Sequence, residues 1–251
     1  MSIKIKSEEQ LEIMKEGGRI TGRALREVIS AAKPGVSLIS LEKLAGEYIR
    51  EAGAEPAFKR VAGYGFTTCL NINDGVVHGI PSERRLREGD LLSVDLGAFY
   101  KGLNTDAAWT VYVGSGSQAP QFEHRFLETG REALREAIGC CHPGNHIRDI
   151  SLAMERVIRR EGYSPVEMLV GHGVGADLHE DPQIPCLATA DEGPELAVGM
   201  TLAIEVIYTA GKPDLKTLPD RWTIVTADGS LSALFEHTVA VTASGPIVLT
   251  S

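Results

Sequence analysis

Long apolar stretches are missing from this 251-residue sequence, and so are paired cysteines. No run reaches the roughly 18–20 apolar residues that are needed to cross a bilayer. The polar stretch Met1–Gln10 also lacks the apolar segment of a secretion signal. The four cysteines form no CxxC pair, which is typical of reduced thiols and not of a disulfide scaffold. We therefore expect a soluble cytoplasmic protein with no membrane partner.

Basic residues are the minority among the charges. The chain has 25 Lys+Arg against 34 Asp+Glu, so its formal net charge is −9. This balance argues against a protein that mainly coats nucleic acid or anionic lipid, and we expect no stable nucleic-acid binding. Hydrophobic residues make up 43% and charged residues 24%, which is ordinary for a globular protein and excludes disorder as the default.

The sequence contains an internal repeat. Ala24–Gly35 matches Ala133–Gly144, with 7 of 12 positions identical. Apolar residues three or four apart on both sides of the shared Pro-Gly predict a helix, a break and a second amphipathic helix in each half. Ser7 and Gln10 have the spacing of a capping box for the first helix.

Each predicted helix pair is followed by strands that contain acids. The apolar run ending near Asp95 aligns with the run ending near Glu205. A further apolar strand opens at Asp106 in the first half and at Glu236 in the second. We therefore predict an α+β fold in which two αα-β halves share one sheet around a pseudo-twofold axis. The halves span approximately residues 1–115 and 116–251 of a single domain, 1–251.

The acids within these strands need an explanation. Apolar runs of this kind are typical of strands buried on both faces, where an ionised carboxylate requires a charge partner. The pseudo-symmetry brings four carboxylates together, and these strands contain no matching cluster of Lys or Arg. His172 lies in the glycine-rich stretch Gly171–Gly175, where backbone can approach a ligand closely, whereas the corresponding position in the first half is Asn71. Such a donor set suits two divalent ions and metal-assisted hydrolysis.

At these residues the chain resembles a known family. Five blocks occur in order over essentially the full length and are similar to type I, bacterial-type methionine aminopeptidases: Cys69–Pro81, Asp95 with Asp106, Gly171–Pro182, Gly199–Glu205 and Ser232–Thr238. The resemblance implies the pita-bread fold, with a curved antiparallel sheet. It also implies removal of the initiator methionine from nascent chains, favouring small second residues, by a monomer that contacts the ribosome transiently.

The resemblance implies a role for each site residue. The metal ligands would be Asp95, Asp106, His172, Glu205 and Glu236, with Asp106 and Glu236 bridging two ions drawn from Co, Mn, Fe, Zn or Ni. The outer catalytic histidines would be His78 and His179. On chemical grounds Glu205 can pass a proton from the attacking water to the leaving amine, and His179 can donate to the carbonyl oxygen as negative charge develops.

For the methionine side chain, the resemblance implies a pocket lined by Tyr64, Cys69, Leu178 and Trp222, with His78 and His179 beside it. A soft thioether suits aromatic edges and a thiol. The chain departs from the family pattern at Leu178 and Val61, where aromatic residues are expected, and at Asn104-Thr105 before the second aspartate. None of these departures removes a ligand.

Two other functions remain as alternatives. An X-Pro aminopeptidase or dipeptidase of the same fold uses a similar ligand set, but fewer than 80 residues precede His78, which leaves no room for the extra N-terminal domain. A non-catalytic binding module would have been free to lose its ligands, and all five are present. The thirty residues between Glu205 and Glu236 are also too few for the helical insertion of the type II enzymes.

Overall fold

Two sequential helix pairs make up the helical part of the structure, a computed structural model that describes residues 3–114 and 119–251. The helices are α1 (Glu8–Ala31), α2 (Leu38–Glu51), α3 (Gln121–Gly139) and α4 (Ile147–Arg160). Helix α1 begins as predicted, because Ser7 Oγ accepts from the Gln10 N–H and Gln10 Oε1 accepts from the Ser7 N–H. None of the described helices is both long enough and apolar enough to span a membrane.

The strands follow the helices in both halves. The first set is β1 (Glu55–Pro56), β2 (Thr68–Ile72), β3 (Gly75–Val77), β4 (Leu91–Tyr100) and β5 (Leu103–Tyr112). The second set is β6 (Ser164–Pro165), β7 (Val170–Gly173), β8 (Glu180–Pro185), β9 (Thr201–Thr209), β10 (Leu215–Thr217), β11 (Ile224–Thr226), β12 (Ser232–Thr242) and β13 (Gly245–Val248). A short 3-10 helix, Phe58–Arg60, follows β1.

One antiparallel sheet joins the two halves. Its main order is β1-β4-β5-β12-β9-β7-β8, with β2 paired to β4, β6 to β9 and β13 to β12. A second sheet has the order β10-β11-β3. The halves meet where β5 pairs with β12, and hydroxyl groups extend this junction. The Thr238 side chain bonds both the N–H and the C=O of Asp106, and the Thr110 side chain does the same for Leu234.

The predicted pseudo-twofold relation is confirmed in the pairing of the strands. Strand β2 places Asn71 opposite Ser93 of β4, and strand β7 places His172 opposite Ala203 of β9, the position equivalent to Ser93. Corresponding glycines also share their backbone angles: φ is +89° and +90° at the two Pro-Gly breaks, Gly35 and Gly144. The predicted boundary between the halves, at residues 115 and 116, lies outside the described residues.

The helices cover one face of the main sheet. Leu92, Val94 and Leu96 of β4 pack in one cluster with Leu25 and Val28 of α1. In the second half, apolar residues of β9 pack in another cluster with α3, including Leu202, Ile204, Val206, Phe126 and Leu134. Since side chains alternate along a strand, the residues between these apolar positions point to the opposite face. That face carries the candidate site.

The predicted positions of the acids along their strands were wrong. Asp95 and Glu205 were expected near the ends of their apolar runs, and Asp106 and Glu236 at the start of theirs. All four lie inside strands of nine to eleven residues. The strands are longer because the β4–β5 pairing continues through Gly97 and Asn104, residue types with weak strand preference, as far as the turn at Lys101–Gly102. The ladder of hydrogen bonds outweighs local preference there.

Candidate metal centre and the cavity around it

Acidic side chains lie in a row across the four central strands. Asp95 is opposite Ala108, Ala108 is opposite Glu236, and Glu236 is opposite Glu205. Directly opposed residues point to the same face of a sheet, and so do residues two apart on one strand. Asp106, two residues before Ala108, therefore shares the face of the other three acids. The sheet register alone brings the four carboxylates together.

His172 reaches the same face from β7. It lies opposite Ala203, two residues before Glu205, and its Nε2 atom is 3.5 Å from Glu205 Oε1. Its other ring nitrogen, Nδ1, is 2.8 Å from the Gly173 carbonyl oxygen. One ligand atom each from Asp106, His172 and Glu236 lies within 4.8 Å of the other two. These three residues have the arrangement of a metal site.

The glycines that flank His172 also have a role in packing the sheet. A Cβ atom on Gly171 would lie 2.5 Å from the Ala203 oxygen, and one on Gly173 would lie 2.3 Å from the Asp181 oxygen. The expected approach of backbone to a ligand stays a prediction. Glycine is required at both positions because β7 passes very close to its neighbouring strands.

The four carboxylates lack counter-charges from the protein. Among the described residues, none of them has a lysine or arginine within salt-bridge distance, and the only ion-pair contact is the one between Glu205 and His172. Within residues 3–114 and 119–251, Asp95 Oδ1, Asp106 Oδ1 and Glu236 Oε1 are also buried without a hydrogen-bond partner. Buried anions in this state are unfavourable unless a cation joins them.

The pKa values reflect this environment. Burial raises the pKa of Asp106 to about 7 and, together with the charge of Asp106, raises the pKa of Glu205 to about 8. Burial and the neighbouring acids also raise the pKa values of Asp95 and Glu236 well above their usual range. Burial lowers the pKa of His172 to about 4, so its imidazole is neutral and free to bind a metal.

The structure brings all eleven predicted site residues to one cavity of about 150 Å³. Three further residues line it: Val61, noted above only as a departure from the family pattern, and Phe58 and Val77, which sequence reasoning missed. Phe58 lies in the short 3-10 helix and Val77 ends strand β3. Neither has a polar group or a spacing that would distinguish it from an ordinary core residue.

The two outer histidines approach the carboxylates from different loops. The ring of His179 lies 4.5 Å from the ring of His172. His78 adopts a positive φ of 57°, which is rare for a non-glycine residue and typical of functional sites under strain. Its neighbour Gly79 donates its N–H to Asn71 Oδ1 at 2.8 Å, which holds the turn. Burial lowers the pKa of both histidines, so each is a neutral donor near pH 7.

An aromatic wall closes the apolar end of the cavity. The ring of Tyr64 makes an edge contact with the ring of Trp222 at 5.0 Å, and its hydroxyl donates to the Thr68 carbonyl at 2.8 Å. Trp222 lies in the connection between β10 and β11, where Asp220 accepts from the N–H groups of Trp222 and Thr223. The wall therefore depends on hydrogen bonds as well as on packing.

Two other reactive side chains have ordinary roles in this geometry. Burial and the charge of Asp95 raise the pKa of the Cys69 thiol, which disfavours the thiolate that a nucleophile needs. His237 follows Glu236 but points to the other face of the sheet, where its Nδ1 is 2.9 Å from Thr250 Oγ1. In this geometry His237 faces away from the carboxylates, and Cys69 is a neutral thiol that lines the cavity.

Known proteins resemble this chain in both sequence and fold. Residues 12–243 match the model of metallopeptidase family M24. The chain is 42% identical over 245 residues to methionine aminopeptidase 1 of Bacillus subtilis, and the match covers 98% of each chain. The crystal structure of the Thermotoga maritima methionine aminopeptidase has a TM-score of 0.96 to this chain at 40% identity, with full coverage of both. A Pyrococcus furiosus prolidase has a TM-score of 0.79 at 26% identity, and only 65% of its chain is covered.

Proposed function

Since the chain belongs to the methionine aminopeptidases of metallopeptidase family M24, we propose that the four carboxylates of the metal centre, His172 and the two outer histidines carry out the cleavage. The protein has the pita-bread fold and is a metal-dependent hydrolase that removes the initiator methionine. The observation that carries the residue assignment is the row of four carboxylates, which share one sheet face without a basic partner among the described residues.

The donor set fits divalent metal. Four carboxylates and one neutral imidazole are hard, mostly oxygen ligands, and three of the carboxylates have an oxygen without a hydrogen-bond partner in the described part of the chain. In the proposal, Asp95, Asp106, His172, Glu205 and Glu236 would hold two divalent ions. When bound, such ions polarise a carbonyl group and make water acidic enough to attack near pH 7.

Each remaining residue acts on a defined atom of the substrate. Glu205 accepts a proton from the attacking water and passes it to the nitrogen of the leaving amine. The His179 ring N–H donates to the scissile carbonyl oxygen, where negative charge develops. His78 contacts the amide-nitrogen side of the same bond, or the backbone of the second residue. Burial supports these roles, because it keeps both imidazoles neutral.

The methionine side chain occupies the apolar end of the cavity. In the proposal, Tyr64, Cys69, Leu178 and Trp222 line this end, and Phe58 and Val77 also line the cavity. An unbranched thioether fits between aromatic edges and a neutral thiol. The free α-amine of the substrate then lies toward Asp95 and Asp106, which explains in this proposal why only N-termini are cut.

The proposal extends to the setting of the reaction. Residues 1–251 form a single catalytic domain that acts as a monomer on nascent chains in the cytoplasm, with transient ribosome contact and a preference for small second residues. The continuous ten-stranded sheet across both halves supports the single domain.

The test is hydrolysis of Met-Gly-Met-Met and of an Ala-Pro peptide by metal-stripped protein, with and without added Mn²⁺, Fe²⁺, Co²⁺, Zn²⁺ or Ni²⁺. Release of methionine from the first peptide alone, restored by metal, is the expected result. Cleavage of Ala-Pro instead would reassign the substrate. Methionine release that survives both chelation and the substitution Asp106→Asn would overturn the residue assignment.

A further inference from the structure

The segment that precedes α1 lies against the loop that carries His179. Lys6 Nζ donates to Glu180 Oε2 at 2.5 Å, and the Lys6 N–H donates to the Gly199 carbonyl at 2.8 Å. Lys4 Nζ lies 2.6 Å from Asp177 Oδ2 and 3.2 Å from Glu180 Oε1. Two lysines of one short segment therefore contact Asp177, in the connection between β7 and β8, and Glu180, the first residue of β8.

These contacts differ greatly in exposure. The side chains of Lys6 and Glu180 are 4% and 2% exposed, whereas those of Lys4 and Asp177 are 46% and 70% exposed. A surface ion pair contributes little, because water and salt screen it. Removing one partner of a buried pair is different, since it leaves a charge inside the protein with its partner gone. The Lys6–Glu180 pair is therefore the contact that constrains the loop.

The loop is also held from its other side. The backbone N–H and the side-chain Nδ2 of Asn104 both donate to the Gly175 carbonyl, at 2.7 and 2.9 Å, and Nδ2 lies 3.2 Å from the Ala176 oxygen. A Cβ atom on Gly175 would lie 2.4 Å from Lys6 Cε, so the loop backbone packs directly on the lysine. The loop is clamped between Lys6 and β5, the strand that carries Asp106.

His179 depends on this clamp for its position. Within residues 3–114 and 119–251, its ring forms no hydrogen bond to the protein, and its closest ring contact is with His172. The residue that follows His179 is Glu180, whose carboxylate also accepts the Asp177 N–H at 3.2 Å. A shift of the Glu180 backbone would therefore move the imidazole relative to the carboxylates.

We propose that Lys6 is a positioning residue for His179, acting through the buried Glu180 carboxylate. This inference rests on the proposed function, in which His179 donates to the carbonyl oxygen of the substrate. It gives the segment before α1 a role in positioning the site, although none of residues 3–7, the described part of that segment, lines the cavity around the carboxylates.

The test uses the full chain reconstituted with the metal that restores wild-type activity. Lys6→Met removes the charge and keeps an unbranched side chain, and Glu180→Gln keeps the volume of the partner. Lys15→Met is the matched control, since Lys15 pairs only with Glu12 on the surface of α1. We expect both site variants to lower kcat for Met-Gly-Met-Met about tenfold or more, with KM within about threefold. The control keeps the wild-type values.

A double-mutant cycle that combines Lys6→Met with His179→Ala distinguishes positioning of His179 from a general structural role of Lys6. If Lys6 acts through His179, Lys6→Met lowers kcat less than about twofold in the His179→Ala background. An equal loss in both backgrounds, or wild-type kcat in both single variants, overturns the inference. Melting temperatures identify any variant that does not fold. If Lys6→Met does not fold, Glu180→Gln replaces it in the double-mutant cycle with His179→Ala. Wild-type protein that releases no methionine contradicts the proposed function itself, a separate result.

Discussion

Glu205 of β9 and Glu236 of β12 lie directly opposite each other on adjacent antiparallel strands. Like charges in this position repel; Glu236 is buried together with Asp95 and Asp106, and the Glu205 side chain is only 14% exposed. The sheet thus places four acids where only a bound cation makes their ionised forms favourable. Stability, metal binding and pH are linked through this arrangement.

The first prediction concerns the metal-stripped protein. Folding raises the pKa values of Asp106 and Glu205 to about 7 and about 8, so below these values the native state binds protons that the unfolded chain does not. Stability therefore falls as pH rises through this range. We expect the free energy of unfolding to increase by on the order of 1–3 kcal/mol between about pH 8.5 and about pH 6.5. Urea denaturation at a series of pH values measures it.

A buried histidine opposes this gain at lower pH. The pKa of buried His172 falls to about 4, so below about pH 6.5 the unfolded chain takes up a proton that the native state does not. The native state still holds the extra protons of Asp106 and Glu205 there, so His172 makes the rise in stability per pH unit smaller. Metal-stripped Asp106→Asn should show a flatter slope above pH 6.5. A free energy of unfolding that rises from pH 6.5 to 8.5 in the wild type would contradict the assignment.

The second prediction tests Asp106 as a ligand. Asp106→Asn keeps the volume of the side chain but removes the negative charge. We expect metal affinity and methionine release each to fall by about 10²-fold or more, with an unchanged circular dichroism spectrum. Glu47→Gln, on the exposed side of α2, is the matched charge control and should behave like the wild type. Full metal affinity in Asp106→Asn would exclude Asp106 as a ligand.

The third prediction concerns the hydroxyl beneath Asp106. Thr238 Oγ1 accepts from the Asp106 N–H and donates to the Asp106 carbonyl, both at 2.8 Å. Thr238→Val leaves both groups unpaired, so we expect a loss of about 1–3 kcal/mol of stability and about tenfold in metal affinity. Thr110→Val is the comparison, because Thr110 bonds Leu234 in the same way. Thr110→Val should lower the free energy of unfolding by a similar amount to Thr238→Val but should change metal affinity much less. Calorimetric titration with the metal measures the difference in affinity.

The fourth prediction concerns a buried acid outside the metal centre. Glu42 of α2 accepts from the N–H groups of Thr67 and Thr68, at 2.7 and 2.9 Å, where strand β2, which carries Cys69, begins. Glu42→Ala leaves both donors unsatisfied and should destabilise the protein by about 2–4 kcal/mol in chemical denaturation. Glu47→Ala, five residues later on the exposed side of the same helix, should change stability by less than about 0.5 kcal/mol. Equal effects would show that the Glu42 contacts contribute nothing.

The fifth prediction concerns the aromatic wall. Trp222 contacts the ring of Tyr64 at 5.0 Å and lies 6.4 Å from the ring of His78. Trp222→Ala should lower kcat/KM for Met-Gly-Met-Met about 10–200-fold, mainly through KM, and leave metal affinity unchanged. The neighbouring substitution Arg221→Gly, at a positive φ of 66°, should leave the kinetics intact. A wild-type KM in Trp222→Ala would place the methionine side chain elsewhere.

Much of the carboxylate set could be predicted because its signal is local. A charged residue inside an apolar run is conspicuous, and the repeat then pairs Asp95 with Glu205 and Asp106 with Glu236. His172 lies seven residues before His179, and Asn71 lies seven residues before His78, so the sequence pairs His172 with Asn71. The strand register confirms that these two positions are equivalent. The position of each acid within its strand was not predictable, because the hydrogen-bond ladder extends through residues of weak strand preference.

Other features have no local signal at all. The contact between Lys6 and Glu180 joins residues 174 positions apart, and the contact between Thr238 and Asp106 joins residues 132 apart. In the sequence, Lys6 belongs to an ordinary polar N-terminal stretch and Thr238 to an ordinary strand. Phe58 and Val77 likewise resemble any core residue until the cavity is formed.

By itself, the sequence determined the two halves, the helix pairs and which acids and histidines are candidates for the site. Side-chain periodicity and internal repetition can be recognised directly in the order of the residues. Only the tertiary structure decided which face of the sheet those acids share, how the glycines beside His172 are used, and which residues hold His179 in place. These depend on strand register and on contacts between distant segments, where burial turns an ordinary polar side chain into a constrained one.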